Sequence, residues 1–194
     1  MATSADKTPR QRVPASERRD ALIEAAIHEF AQGGLHGTPV DKIARRVGVA
    51  QPYVFSLFAS KKELFLAAVE RAFEKLSELF AEAATEFDPA IALPEADATW
   101  TIANAYMDQL EHNRDILLLQ HQAYAACGDD EVRTRVRACF DRLAAQVKAL
   151  SGADDERVDE FFRYGMWINA LAAMGATDIC EHMEWVRDEF RAPA

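Results

Sequence analysis

Three uncharged polar residues, Gln51, Tyr53 and Ser56, lie close together in the sequence just after a short turn. A Gln side chain can pair bidentately with adenine, and a Tyr can donate to a phosphate or lay its ring against a thymine methyl group. Cations lie on both sides, with Lys42 before the cluster and Lys61 after it. Hydrogen-bonding groups bracketed by cations are typical of a surface that reads DNA bases while it holds the phosphate backbone.

Residues that could support catalysis or metal binding are scattered, and Cys180-Glu-His182 is the one place where two of them come close together in sequence. No Cys-x-x-Cys or His-Glu-x-x-His spacing occurs, and neither a nucleophile elbow nor a glycine loop for phosphate is found. We therefore expect no metal, no cofactor and no catalytic residue. The cysteines and histidines in question are His112, His121, Cys127, Cys139, Cys180 and His182.

The turn before the polar cluster reads as the centre of a helix-turn-helix. Thr38 is predicted to cap the first helix, and Pro39 to occupy its first position, where proline has no N–H to lose. Gly48 is predicted to end that helix in the left-handed conformation. Two helices joined so tightly must cross closely, and Ala44 offers a small side chain there. The inner face repeats at helical spacing: Val40, Ile43, Ala44 and Val47.

The second helix of the motif begins around Pro52. Its candidate inner side consists of Val54, Phe55 and Phe58. A capping box from Ser60 to Glu63 opens a third helix that runs to about Thr85. The first turn of that helix, where free N–H groups lie beside Lys61, suits a phosphate. The alternative interpretation of the whole stretch is an ordinary helical hairpin within a core.

The motif resembles the DNA-binding domain of the Tet repressor (TetR) family over about residues 16–76. The matching residues are Thr38, Val40-Asp41, Ile43-Ala44, Val47-Gly48-Val49-Ala50, Phe58, Lys61 and Leu64-Phe65. Such a domain places the start of its second motif helix against base edges in the major groove. The motif and the resemblance together predict these DNA contacts: Thr38, Lys42, Gln51, Pro52, Tyr53, Ser56 and Lys61. Arg45 and Arg46 either add phosphate contacts or belong to a solvated outer face.

Two departures from the family pattern affect that set. Ala50 stands where the family often has Ser, and residues 55–58 read Phe-Ser-Leu-Phe where it often has Tyr-x-His-Phe. Phe55 has no hydroxyl to offer a phosphate, and Leu57 cannot form a hydrogen bond. Those two contacts therefore cannot be transferred to this chain, and the polar residues of the same helix become the better candidates.

Charge is unevenly distributed along the 194 residues, whose net charge is −10. Residues 1–62 hold ten Lys and Arg against six Asp and Glu, a net +4, and residues 63–194 hold twelve against twenty-six, a net −14. A basic head on an acidic body orients the head toward a polyanion. For the body, the acidic excess can equally serve solubility alone.

Location follows from what the sequence lacks. No apolar segment follows the basic start, so no signal peptide is visible. The uncharged stretch Tyr164–Thr177 is too short to span a bilayer. Three widely spaced cysteines do not make a disulfide framework and favour a reducing compartment. We expect a cytoplasmic protein with no membrane partner.

Three segments are predicted. Residues 1–15 form a flexible basic arm, which either touches DNA or is simply a disordered terminus. Residues 16–76 form a three-helix DNA-binding head with its motif at about 39–58, and residues 77–194 form a helical body for effector binding and dimerisation. No strand pattern is present, so the chain is predicted to be all-α. Beyond the head and the long linking helix, helices are expected at about 96–112, 114–127, 130–150, 155–175 and 178–191.

The helix at 155–175 is apolar around more than half its surface, which requires two packing partners. One row can face its own domain and the other a second subunit. With the last helix, two chains would form a four-helix interface. The predicted interface residues are Tyr164, Trp167, Leu171, Met174, Ile179, Met183, Val186 and Phe190. The alternative is a helix buried entirely within a monomer.

The family resemblance also implies a small-molecule pocket in the body. A ligand pocket needs a few polar groups among large apolar ones. The candidate residues here include several aromatic side chains, which favours a hydrophobic ligand. The candidates are Trp100, Tyr106, Met107, Gln120, Tyr124, Phe162, Met166 and Asn169. Each of them could instead be an ordinary core residue.

The sequence thus predicts a homodimeric, ligand-responsive transcriptional regulator rather than an enzyme. We expect a repressor that binds a palindromic operator and is released when a small apolar effector tilts the linking helix and changes the separation of the heads. Two alternatives remain at this stage. One is a DNA-binding dimer without an effector, and the other is a helical enzyme with a fortuitous motif.

Overall fold

The computed structural model of the chain describes residues 14–88, 90 and 97–176. Within these residues all regular secondary structure is helical, which confirms the predicted all-α class. The first four helices are α1 (Ala15–Gly37), α2 (Val40–Val47), α3 (Gln51–Leu57) and α4 (Lys61–Thr85). The next four are α5 (Thr99–His112), α6 (Arg114–Ala125), α7 (Asp130–Ser151) and α8 (Asp155–Met174). The predicted last helix, 178–191, and residues 1–13 of the predicted arm lie outside the described residues.

Several of these helices begin where a side chain satisfies free backbone N–H groups. The Ser60 hydroxyl accepts a hydrogen bond from the Glu63 N–H at 3.0 Å, which confirms the predicted cap of α4. Asp129 and Asp154 cap α7 and α8 in the same way. Because these contacts are local, the starts of those helices can be predicted from the sequence.

The head consists of α1, α2, α3 and the beginning of α4, packed around one apolar core. Phe30 of α1 meets Phe65 of α4 edge to face, with ring centroids 5.1 Å apart. Gly48 adopts the left-handed conformation, with φ at 72°, and Ala44 is fully buried beneath the turn. The N–H of Val49 donates to the Ala44 carbonyl at 3.0 Å and closes the end of α2, and α3 then packs against α2.

The predicted cap of α2 is wrong. Thr38 is only 3% exposed, and its hydroxyl donates to the backbone carbonyl of Glu29 in α1 at 3.1 Å. Pro39 is the residue before the helix, and α2 begins one position later, at Val40. The long-range contact to α1 therefore takes the hydroxyl that the sequence pattern assigns to a cap.

The predicted inner side of α3 is also wrong in one position. Val54 and Phe58 are 1% and 2% exposed, but Phe55 is 43% exposed. Successive helical residues are separated by roughly 100°, so a helix of this length can direct only one narrow face inward. Phe55 lies on the outward side of that face.

The head is joined to the body by two sets of packing. α4 contacts α1 in the head and α5, α6 and α7 in the body, and α1 packs extensively along α6. The Asp115 carboxylate of α6 holds His28 Nδ1 at 2.6 Å and accepts from Gln32 Nε2 at 3.2 Å. At the start of α4, Lys62 Nζ lies 3.2 Å from Asp129 in the turn before α7. The head is thus fixed to the body through more than the linking helix alone.

The body surrounds the second half of α4. The Phe80 ring stands edge to face against Tyr106 and against Phe161, with centroids 5.8 and 5.7 Å apart. Among the helices that the structure describes, none combines the length and apolar character that a membrane crossing requires.

A glycine conformation at the contact between α1 and α6 generates a prediction. Gly34 has φ 62° and ψ −176°, and a Cβ there would collide with the side-chain amide of Gln122. Replacing Gly34 with Ala should destabilise the protein by about 2 kcal/mol, since residues with a Cβ rarely adopt this conformation. The melting temperature should fall by roughly 4–8 °C.

Gly37→Ala is the matched control for Gly34→Ala. Gly37 has no atom within 4 Å of an added Cβ and no positive φ, so its replacement should leave the melting temperature nearly unchanged. Equal effects of the two substitutions would contradict a specific role for the Gly34 conformation.

Candidate DNA interface and effector cavity

The short helix α3 presents one face to solvent and anchors the other in the head. Val54 and Phe58 form the anchored face, and the Arg19 guanidinium lies 4.8 Å from the centroid of the Phe58 ring. The residues on the exposed face are Gln51, Pro52, Tyr53, Phe55 and Ser56. The predicted base-reading residues are therefore accessible, and the helix that carries them is held by packing.

The hydrogen-bonding capacity of this face differs from residue to residue. The Ser56 hydroxyl donates to the Tyr53 carbonyl at 2.6 Å, so its oxygen remains available mainly as an acceptor. The Gln51 amide has no hydrogen-bond partner within the described residues and keeps both its donor and its acceptor groups. Gln51 is the side chain on this face best suited to bidentate pairing with a base edge.

The cations around α3 are not equivalent. Arg45 pairs with Asp41 one helical turn earlier, and Arg46 donates to Glu29 at 3.0 Å. Lys42 is exposed and has no ion-pair partner within the described part of the chain. The two arginines are thus held by carboxylates of the head, while Lys42 is unpaired.

Lys61 lies in the first turn of α4, where its ammonium donates to the carbonyl of His36 at 3.0 Å. Partial burial lowers the pKa of this ammonium. The remaining N–H groups of Lys61 and the N-terminus of α4 could receive a phosphate together. Thr38, by contrast, is buried with its hydroxyl hydrogen committed to α1, so the geometry gives no support to a phosphate contact from its side chain.

A narrow cavity of about 20 Å³ lies inside the body between α4, α5, α6, α7 and α8. Six of the eight predicted pocket residues line it, whereas Trp100 and Met107 do not. The lining consists of Phe80, Tyr106, Gln120, Tyr124, Phe140, Leu143, Phe161, Phe162, Gly165, Met166 and Asn169. The residues of this list that the sequence did not single out for the pocket are large core residues and one glycine, which carry no distinguishing signal.

A buried hydrogen-bond network crosses the cavity wall. The Tyr106 hydroxyl lies 2.7 Å from Gln120 Oε1 and 3.0 Å from Asn169 Oδ1, and all three residues are at most 5% exposed. Burial also holds the pKa of Tyr106 and of Tyr124 well above the ordinary value for a phenol, so both remain neutral. No Asp, Glu, Lys, Arg or His is among the lining residues.

The chemistry of this lining favours an uncharged ligand. An ion placed here would lose its hydration without gaining a countercharge, at a cost of several kcal/mol. Amide and phenol groups can both donate and accept, so they can satisfy a hydroxyl, carbonyl or amide of a ligand. The site can therefore bind an apolar, neutral molecule that carries one or two hydrogen-bonding groups.

A larger cleft of about 150 Å³ lies between α4 and α7. Its polar lining is already engaged, since Ser77 and Gln146 exchange two hydrogen bonds and Arg142 donates to the Cys139 sulfur at 3.3 Å. This cleft has less free hydrogen-bonding capacity than its volume suggests. Burial raises the pKa of the Cys139 thiol, which disfavours a reactive thiolate. Within the described residues there is also no cluster of His, Cys, Asp or Glu able to hold a metal ion.

The predicted dimer face is only partly available. Leu171 is 0% exposed and packs within its own subunit, so it offers no surface to a second chain. Tyr164 and Trp167 are half-buried, and Met174 is 62% exposed. The indole N–H of Trp167 is buried and has no acceptor within the described residues. The other four predicted interface residues, Ile179, Met183, Val186 and Phe190, lie outside the described residues.

A helix-turn-helix with a solvent-facing second helix and flanking cations defines the class of a DNA-binding protein. Residues 22–68 match the family model described as "Bacterial regulatory proteins, tetR family". The head of this chain therefore matches the DNA-binding domain of the TetR family of bacterial regulatory proteins.

Two sequence relatives support this assignment over the head. The chain is 42% identical over 65 residues to the transcriptional activator FasR of Mycolicibacterium smegmatis. This alignment covers 34% of this chain and 30% of FasR. It is 35% identical over 72 residues to the transcriptional regulator RutR of Escherichia coli K12, which covers 37% of this chain and 34% of RutR. The match thus spans about a third of each relative.

Solved structures extend the likeness to the body at the level of the fold. A TetR-family member from Streptomyces coelicolor A3 superimposes with a TM-score of 0.65 at 24% identity, covering 83% of this chain and 90% of that one. The fatty acid degradation regulator FadR from Bacillus halodurans gives 0.64 at 16% identity, covering 88% and 89%. These likenesses show a shared architecture of head, linking helix and helical body.

The position of Lys61 generates a prediction about salt dependence. Lys61→Ala should weaken binding to every DNA sequence to a similar degree and reduce the slope of log affinity against log salt by about 0.9 per head, because one phosphate contact is lost. Titrations of labelled duplexes at several salt concentrations measure both quantities. Lys148→Ala is the control, since Lys148 lies on α7 and pairs with Asp155 in the body. An unchanged slope for Lys61→Ala would exclude the phosphate contact.

Proposed function

We propose that this regulator is a repressor that binds a palindromic operator as a homodimer and is released by a small, uncharged, apolar effector. The observation that carries the proposal is the combination of an exposed recognition helix with an aromatic cavity whose wall is also part of the contact between head and body. In this proposal residues 16–76 act as the DNA-binding head and residues 77–194 as the effector-binding and dimerisation body, within the cytoplasm.

For the DNA contacts, the geometry supports two groups of residues on the head, one that contacts bases and one that contacts phosphates. Gln51, Tyr53 and Ser56 would read base edges, with Pro52 packed at the start of the helix against the groove. Lys42 and Lys61 would hold phosphates on either side and fix the register. Thr38 has no part in this proposal, because its hydroxyl is already bonded within the head.

For the dimer, the support comes from the outer side of α8. Met174 exposes a large apolar side chain, and the buried Trp167 N–H lacks an acceptor within the described residues. Both features are costly in an isolated subunit and favourable beside a second chain. Two heads held by such an interface would have to match half-sites about 34–36 Å apart, or a multiple of that distance.

For the effector, the small size of the cavity is informative. A space of about 20 Å³ holds no more than a water or two, so a larger ligand must displace the helices that enclose it. α6 provides Gln120 to the cavity and packs against α1 of the head through its other side. A ligand that moves α6 would therefore move the head as well as tilt α4, and operator affinity would fall.

The relative with 42% identity over the head is named an activator. We favour repression because a dimer on a palindrome blocks polymerase without any further contact, whereas activation requires an additional surface. A reporter placed behind the selected operator distinguishes the two, since a repressor lowers and an activator raises its expression.

The proposed dimer generates a prediction that also tests operator symmetry. The purified protein should have about twice the 21.6 kDa mass of one chain and should select a palindrome from random DNA. Met174→Glu should shift the mass toward one chain and reduce affinity to that of a single half-site. Multi-angle light scattering and DNA titration measure these outcomes.

Ala138→Glu is the control for Met174→Glu, because Ala138 is also exposed but lies on α7, which carries none of the proposed interface residues. It should leave both mass and affinity unchanged. A wild-type protein that remains monomeric at micromolar concentration, or a selected site without symmetry, would overturn the dimeric proposal.

The proposed effector site generates a prediction about ligand charge. Neutral aromatic compounds such as 1-naphthol and indole should raise the melting temperature of the protein and release it from the selected operator. Carboxylic acid derivatives of the same ring systems, which are anions at neutral pH, should do neither. Thermal shift and DNA titration measure the two effects. Carboxylates that bind as well as the neutral compounds would contradict the proposed ligand class.

Gly165→Ala tests whether such compounds enter the cavity. An added Cβ would lie 3.5 Å from Tyr106 Cε1, an ordinary contact, and alanine favours the helix by about 1 kcal/mol over glycine. The variant should therefore melt roughly 2–4 °C higher without ligand, yet bind 1-naphthol more weakly, because the methyl group occupies part of the lining. Unchanged affinity would place the ligand elsewhere.

A further inference from the structure

The recognition helix exposes a residue that neither base hydrogen bonding nor phosphate binding explains. Phe55 is 43% exposed, and its neighbour Tyr53 is 37% exposed. Within the described residues, large hydrophobic side chains this accessible are Tyr53, Phe55, Met166 and Met174. Two of the four therefore lie on α3, a helix of seven residues.

The head holds Phe55 in this outward position. Val54 and Phe58 anchor the inner face of α3, and Arg19 covers the ring of Phe58. If α3 rotated to bury Phe55, Val54 and Phe58 would become exposed. The head would then lose more buried apolar surface than it gained. The ring of Phe55 is thus presented to whatever occupies the outer face of the helix.

Charge identifies that occupant as DNA. Unpaired Lys42 belongs to α2 and Lys61 to the first turn of α4, so the helices that precede and follow α3 each contribute a cation that attracts phosphate. Phe55 can neither donate nor accept a hydrogen bond, which excludes it from the polar edges of the bases and from the phosphates. In the major groove the apolar group that a base pair presents is the C5-methyl group of thymine.

We propose that Phe55 is a specificity-determining residue that reads a thymine methyl group within each half-site of the operator. The proposal rests on the proposed reading of DNA by α3. Recognition by Phe55 differs from recognition by hydrogen bonds because only the methyl group of the base contributes to the discrimination. The chain would therefore distinguish thymine from uracil at that position, although the two bases have the same hydrogen-bonding edges.

The test uses the operator that the full-length protein selects from random DNA, with deoxyuridine replacing thymidine at one position at a time. Removing the contacted methyl should weaken wild-type binding about four-fold in one half-site and about fifteen-fold when both half-sites are substituted. Phe55→Ala should bind the thymine operator with a similar loss. The same variant should show no further loss on the deoxyuridine operator, because the methyl has lost its partner.

Two further variants separate this role from a general effect on the helix. Phe55→Leu keeps an apolar contact and should retain part of the discrimination between thymine and uracil. Ala59→Ser changes an exposed residue just after α3 that has no assigned part in reading DNA, and it should retain all of the discrimination. Thermal melting should show that Phe55→Ala is folded, since the side chain it removes is not part of the core.

The outcomes distinguish this proposal from the general one. If the protein selects an operator but no single deoxyuridine weakens wild-type binding, the role of Phe55 is overturned while DNA reading stands. If Phe55→Ala keeps the full deoxyuridine penalty, another residue reads the methyl and the assignment is wrong. If no sequence is selected at all, both proposals fail.

Discussion

The continuous burial of α4 is the constraint on which the rest of this structure depends. Its 25 residues extend about 37 Å, and buried side chains follow it from Leu64 in the head to Ala83 in the body. One rigid helix therefore belongs to two cores. The position of the recognition helix is set by how the body packs around the far end of α4, and a change in that packing cannot remain local.

A second contact makes this coupling tighter than a single linking helix would. α1 lies along α6, where Asp115 binds both His28 and Gln32. α6 also carries Gln120 and Tyr124, which line the cavity on its other side. The helix that would meet an effector is therefore the helix that holds the head, which joins the two sites through one element with two packed faces.

Local signals explain how far the sequence could predict this fold and site. Ser60, Gly48 and the aspartates that precede α7 and α8 act within one turn of chain, so the helix boundaries that they set were legible. Thr38 and Phe55 were misplaced because their positions depend on α1 and on which narrow face of α3 packs, and neither is encoded within a few residues. Among the cavity residues, the polar ones stand out in an apolar helix, whereas Phe80 and Phe161 look like any core residue. Leu171 shows the same limit in reverse, since periodicity does not reveal which apolar row of α8 faces its own subunit.

The packing of α1 on α6 has a consequence for building hybrid sensors from this fold. A head exchanged as residues 22–68 alone would bring a foreign α1 to a partner surface evolved for His28, Gln32 and the close approach at Gly34. Such a chimera would lose the native packing between head and body, because the exchange replaces one side of the α1–α6 contact and leaves the other side unchanged. A chimera that exchanges the head together with the facing side of α6, from Asp115 to Gln122, would preserve the contact between α1 and α6. The boundary between native and foreign residues would then lie within the body.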